Sequence, residues 1–164
     1  MMKHLEESGA ERIGLICGYQ FTSYTRDVVA GYRAWCEEVG QSPMVALAEG
    51  GLSENSGRDA AEKLLGLSSP PDAIYSTLDQ VAIGVLGAAR ARDLDVPGDL
   101  LVACGTDSPL SRLSSPPITS VEFYPERIGR AAVEMLIGLI DGADDCPSPV
   151  TIETEILPRQ STGA

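Results

Sequence analysis

Histidine, lysine, aromatic residues and long apolar runs are all scarce in this chain, and each scarcity narrows what it does. His4 is the single histidine in 164 residues. It lies in a frayed terminus, so a Ser-His-Asp or Cys-His constellation cannot be assembled in the body of the fold. Lysine occurs only at Lys3 and Lys63, and neither lies at a strand end. A phosphotransfer pocket of the response-receiver kind therefore lacks the lysine it needs beside its carboxylates. Aromatics make up 5% of the residues, so the core has to be built from Leu, Ile, Val and Ala. The longest apolar stretches, such as residues 81–89, fall far short of the ~20 residues a membrane span requires. No G-x-G-x-x-G follows a strand and no G-x-x-x-x-G-K-[ST] is present, so the nucleotide-binding fingerprints are missing.

The four cysteines, Cys17, Cys36, Cys104 and Cys146, include no C-x-x-C pair. With one histidine to add, they do not form a zinc site. Cys17 and Cys104 fall in apolar runs where a small thiol packs as core, and unpaired thiols fit the cytosol. The N-terminus is charged and has no apolar segment of the secretory kind. Net charge is −12, from 24 acidic and 12 basic residues. Such a surface repels phosphate backbones and argues against this segment gripping nucleic acid by itself.

What is present is one domain's worth of alternating elements. Apolar runs at 13–17, 44–48, 73–76 and 100–104 read as strands. Helical spacing covers 26–39, 53–67 and 80–92, after a short helix at 1–8. Gly40 stops the first of these three long helices, Ser53 is a plausible cap for the next, and Asp79 caps the third. A fifth extended run (119–123) leads into a helix from Pro125 to about Ile140, and a last strand covers 150–157. Continuous rather than alternating apolarity marks buried parallel strands. The fold class is therefore α/β: a Rossmann-like parallel sheet with helices on both faces. Right-handed crossovers bring four loops to one rim, beyond the carboxyl ends of the strands, where ligands bind.

Those loops, 18–25, 49–52, 76–79 and 105–109, carry mild polar groups: Thr22, Ser23, Tyr24, Ser76, Thr77, Asp79, Thr106, Asp107 and Ser108, with Leu52 and Leu78 between them. Asp79 reads as a helix cap in preference to an acid, a base or a Mg²⁺ ligand. Asp107, just past a buried strand, is open between ligand contact and turn-making. No catalytic residue, metal ligand or cofactor emerges, and the chain does not read as an enzyme. The stretch Pro116-Pro117-Ile118-Thr119-Ser120-Val121 forces an extended entry to a helix that is apolar nearly all round. Such a helix belongs between other elements. If its home is a second lobe, then without that lobe it should pack on another chain or fold back, and a helix standing free and solvated would count against that home.

Several stretches in order resemble the C-terminal half of the lactose-repressor/galactose-repressor (LacI/GalR) family of bacterial transcription regulators. They are the run from His4 to Ile16, Arg26 with Ala30-Gly31-Tyr32-Arg33, Pro70-Pro71-Asp72-Ala73-Ile74, and Asp79-Gln80-Val81-Ala82-Ile83-Gly84. Val96-Pro97-Gly98, Gly105-Thr106-Asp107, Pro116 to Val121 and Arg159-Gln160-Ser161-Thr162 complete the set. The resemblance implies a periplasmic-binding-protein-like, two-lobed effector-sensing region of a cytoplasmic repressor. Residues 11–117 and 143–164 would form its C-terminal lobe, and residues 1–10 and 118–142 would be strips of a mostly missing N-terminal lobe. Operator DNA would be read only by a helix-turn-helix outside this chain. A homodimer would form through the helix from Gln80 to Arg92 and the loop from Ser108 to Ser115. The effector would be a sugar or related polar metabolite. By the same resemblance Asp107, Thr22, Tyr24 and Arg26 would contact it, with Asp79 beside them. Val28, Leu52 and Leu78 stand where many members carry an arginine, an aromatic ring and an amide. The alternative on the same fold is a solute-binding protein of a sugar transport system.

Overall fold

The computed structural model describes residues 1–19, 22–142 and 150–164. Its centre is a four-stranded, wholly parallel sheet in the order β2-β1-β3-β4. The strands are β1 (Ile13–Cys17), β2 (Met44–Leu47), β3 (Ala73–Ser76) and β4 (Leu101–Cys104). All residues of β1, β3 and β4 are buried, which is why their sequences run apolar without alternation. Helices α1 (Met2–Glu7) and α2 (Ser23–Val39) supply the core on one face. Helices α3 (Glu54–Leu65) and α4 (Asp79–Ala91) cover the other.

Leu5 of α1 is fully buried beside Ile13, Leu15, Tyr32 and Trp35, a burial that stabilises by about 1.5–3 kcal/mol. Residues 1–10, expected as a strip of another lobe, are therefore fastened to this sheet. His4, read as frayed, has its Nε2 2.9 Å from the Thr162 hydroxyl, so both ends of the chain meet.

Helix α2 starts earlier than its apolar spacing suggests because the Thr22 hydroxyl accepts the Thr25 N–H as an N-cap. Ser53 caps α3 in a capping box with Ser56, as expected. Asp79 is not the cap of α4. Leu78 holds that position, and Asp79 is the first helical residue, accepting the Gln80 N–H at 2.8 Å. Residues 108–115, read as a loop, contain α5 (Pro109–Leu113), nucleated by a Ser108–Ser111 capping box with proline at its start.

Beyond α5 the chain returns to the sheet edge, where the Thr119 carbonyl accepts the Cys104 N–H at 2.9 Å. It then forms β5 (Ser120–Glu122), antiparallel to β6 (Glu155–Leu157). Both strands are shorter than the extended runs that announce them. Helix α6 (Pro125–Ile140) follows and buries none of its residues, leaving Val133, Leu136, Ile137 and Ile140 more than half exposed. It does not fold back on the chain. Cys17, Cys36 and Cys104 are buried free thiols, and Cys146 lies outside the described residues. Among the described residues no helix is long and apolar enough to cross a membrane.

Helices α3 and α4 cross closely because glycine stands at both contact points. A β-carbon on Gly57 would lie 2.3 Å from the Val81 carbonyl oxygen, and one on Gly84 would lie 2.2 Å from that of Glu54. Gly84→Ala should therefore cost about 1–3 kcal/mol. Gly31→Ala, in open space on α2, should gain about 0.5–1 kcal/mol from helix propensity. Urea denaturation of the two variants checks this, and equal costs would contradict the close crossing.

Candidate ligand-binding site

Parallel topology puts the carboxyl ends of β1 to β4 on one edge, and the loops there converge as the sequence predicts. The junction of β4 with its loop is tightest. A β-carbon on Gly105 would fall 2.5 Å from the Tyr24 hydroxyl and 2.8 Å from that of Tyr75. The absence of a side chain at Gly105 is what admits both phenols. Tyr24 donates its hydroxyl to the Thr77 carbonyl at 3.2 Å, and its ring meets Phe123 edge-on at 6.3 Å. Burial raises the pKa of Tyr24 and Tyr75, so both stay neutral hydrogen-bonding groups. Burial also pushes the Cys104 thiol up to about 12. It donates to the Thr106 carbonyl at 3.1 Å and is no nucleophile at neutral pH.

The two carboxylates of the rim are already engaged. Asp79 accepts from the Gln80 N–H on one oxygen and from the Ser108 hydroxyl on the other, while its own N–H donates to the Thr106 hydroxyl. Asp107 lies under the rim, with 4% of its side chain exposed. Its Oδ1 accepts from Arg159 at 2.6 Å, Ser120 at 2.7 Å and Ser111 at 3.2 Å, and its Oδ2 accepts from Arg112 at 2.9 Å. Burial alone would raise this carboxyl's pKa. Hydrogen bonds from Ser120 and Arg159, with the charges of Arg159 and Arg112, outweigh it and hold the group below its ordinary value.

The remaining predicted site residues are spread around this centre. Thr22 is exposed at the N-cap of α2, and Tyr24 lies across the rim. Leu52 is 36% exposed, with its methyl groups against the backbone of Gly18. Val28 and Leu78 are half-buried and packed on the two cores. Arg26 is exposed, two positions and so about 200° round the helix from Tyr24. The structure thus brings Tyr24, Asp79 and Asp107 around Gly105 and Thr106, and turns Val28 and Leu78 inward. Sequence reasoning missed Tyr75, Ser111, Arg112, Ser120, Phe123 and Arg159 as members. Nothing local in the sequence ties position 107 to 159. Among the described residues no cluster of three or more His, Cys, Asp or Glu is arranged to hold a metal.

The periplasmic binding protein-like domain family matches residues 2–162. Relatives include the HTH-type transcriptional regulator GalR of Streptococcus thermophilus, 28% identical over 165 residues, covering 97% of this chain and 50% of that protein. The lactose operon repressor of Rhizobium radiobacter is 35% identical over 106 residues, covering 65% of this chain and 93% of that sequence. The chain is a periplasmic binding protein-like domain of the LacI/GalR family. A solved complex of the transcriptional regulator CelR with cellobiose superposes at TM-score 0.85 with 27% identity, over 97% of this chain and 49% of that one. This LacI/GalR domain spans about half the length of the curated relatives that match along its whole extent.

Removing the central carboxylate tests its structural weight. Asp107→Ala leaves Arg159, itself 17% exposed, without its counter-ion and should cost about 3–5 kcal/mol, lowering the melting temperature by roughly 10 °C. Because the folded-state pKa is depressed, the wild type holds this stability above the unfolded carboxylate value and loses it as pH falls through the folded one. Unfolding midpoints measured between pH 6 and 2.5 should fall less steeply on acidification in Asp107→Asn. Parallel curves would mean that Asp107 is not the linked group.

Proposed function

We propose that this chain is the C-terminal, effector-sensing half of a bacterial transcriptional repressor of the LacI/GalR type. The observation that carries this reading is a ligand rim at the carboxyl edge of a periplasmic binding protein-like sheet in a chain whose relatives regulate transcription. Those relatives favour a regulator over a solute-binding protein of a transport system. A small molecule enters between this rim and a second lobe, with Thr22, Tyr24 and Leu52 on the contacting surface. Asp79 and Asp107 shape the loops behind them. The ligand prefers one closure of the lobes, and that preference is passed to the DNA-reading head as a shift in population. The cellobiose held by CelR supports a small molecule as the effector. The protein works in the cytoplasm as a homodimer, with residues 80–92 and 108–115 at the interface.

Helix α6 departs from the expectation that, lacking its home lobe, it would fold back or pack on another chain. Its assignment to the second lobe rests on its uncovered apolar face, while Ile118, Thr119 and Ser120 are buried against this sheet and stay with it. A helix with Val133, Leu136, Ile137 and Ile140 in water exposes an apolar stripe that soluble domains ordinarily cover. Residues 11–120 and 143–164 then make up this lobe. Residues 143–149 lie outside the described residues, and α1 is anchored here through Leu5.

Two measurements test the proposal. Amide exchange along α6 should be at least about 100-fold slower in the full-length protein than in this 164-residue chain. Equal protection would remove α6 from the second lobe. A thermal-shift screen of small metabolites on the full-length protein should find ligands that raise its melting temperature and change operator affinity. Because a binding pocket buries most of its ligand, this chain alone should bind the same ligand at least about 100-fold more weakly, equivalent to some 3 kcal/mol. Tight binding to the isolated chain would refute the two-lobed site.

A further inference from the structure

The few aromatic residues of this chain are unevenly placed. Tyr32 and Trp35 stack at 6.1 Å inside the core. Tyr19, Tyr24, Tyr75 and Phe123 gather at the carboxyl edge of the sheet instead. Tyr19 is two residues beyond β1 and 48% exposed, and Leu52, five beyond β2, is 36% exposed over Gly18. Tyr24, 37% exposed, is held across the rim by Thr77 on one side and by the edge of Phe123 on the other. An aromatic and aliphatic surface therefore lines the place where a ligand would meet this lobe.

The polar groups of the same rim are largely spent on one another. Both carboxylates have protein donors on both oxygens. The Ser76 hydroxyl donates to the Leu78 carbonyl at 2.7 Å, and Thr77 is buried. The Thr106 hydroxyl accepts from the Asp79 N–H, and the Tyr24 hydroxyl is given to Thr77. A hydroxyl-rich ligand needs open carboxylates or amides in forked pairs, because each hydroxyl buried without a partner weakens binding roughly 5- to 150-fold. A flat ring makes no such demand on this surface, and stacking on one aromatic side chain strengthens binding by a similar factor.

Resting on the reading of this rim as an effector site, we propose that the effector turns a planar aromatic or heteroaromatic ring toward this lobe, stacked on Tyr24 and bordered by Leu52 and Phe123. Its polar substituents face the second lobe. Tyr24 is the specificity-determining residue, through its ring and not through its hydroxyl.

The test uses the full-length protein, with adenine, indole and 4-hydroxybenzoate as planar probes and cellobiose, galactose and trehalose as hydroxyl-rich ones. Thermal shift and calorimetry should report binding of at least one planar probe and none of the sugars. For that probe Tyr24→Leu should weaken binding roughly 5- to 100-fold, whereas Tyr24→Phe should stay within about threefold of wild type. The Phe variant separates ring stacking from the loss of the Thr77 hydrogen bond. Binding of a sugar without any planar probe overturns this proposal and leaves the sensing function standing. So does a planar probe whose affinity Tyr24→Leu does not change. Silence from both panels at millimolar ligand overturns the sensing function together with this proposal.

Discussion

The carboxylate of Asp107 is almost entirely removed from water, and four donors converge on it from the loop's own helix, the crossover strand and the C-terminal tail. A buried charge is tolerable only while its partners are held in place, since leaving it unpaired costs several kcal/mol. Each donor is therefore a constraint on the element that carries it. Ser111 and Arg112 fix α5 against the end of β4, Ser120 fixes the start of β5, and Arg159 fixes the chain just after β6. Arg159 also donates to the Ile118 carbonyl at 2.7 Å, so the guanidinium holds the crossover from the backbone as well. The tail continues the same work: Ser161 donates to the Val102 carbonyl, and Thr162 meets both Thr119 and His4. Removing one ionised group would loosen segments that are more than fifty residues apart in sequence.

That clamp divides labour at the rim. Groups that chemistry would nominate first as ligand contacts, the carboxylates, serve as internal fasteners, and their pKa and geometry follow from that use. The surface that remains is made by residues with little to donate, above all Tyr24 and Leu52. The arrangement depends on two small residues. Gly105 lets two phenols close over the end of β4, and Gly18 lets Leu52 lie on the end of β1. A side chain at either position would push the aromatic and aliphatic surface outward and open the rim.

Much of this fold is legible in the sequence because its strands are buried on both faces. Continuous runs such as Ile13–Cys17 and Ala73–Ser76 have no exposed side to interrupt them, and their limits coincide with those in the structure. Pro125 and Gly142 bracket α6 for equally local reasons. Helix α5 is invisible to periodicity because five residues hold little more than one turn. Its stability comes from serine caps whose composition reads as loop. The rim residues could be placed because crossover handedness dictates where loops emerge. Their partners could not be read, because Arg159, which donates to Asp107, lies 52 positions away. An aspartate after a buried strand looks the same in sequence whichever partner it has.

The same distinction explains why α6 and α1 behave differently although both were expected to belong elsewhere. Each is an amphipathic or apolar helix at the boundary of the sheet's domain, α1 of 6 residues and α6 of 16. Helix α1 buries one large apolar side chain, Leu5, in the cluster that holds Tyr32, Trp35 and Leu15, with Met2 partly buried against it. Trp35 then closes the contact by donating its indole N–H to Glu6 at 2.9 Å. Helix α6 carries more apolar surface than α1, but it leaves the sheet through the β5–β6 ribbon, beyond the Asp107 clamp. No face of this core is left open to take it: both sides of the sheet are already covered, by α1 and α2 and by α3 and α4. Hydrophobicity alone therefore does not determine where a helix docks. The topology must also deliver it to a vacant surface, and for α6 this sheet offers none.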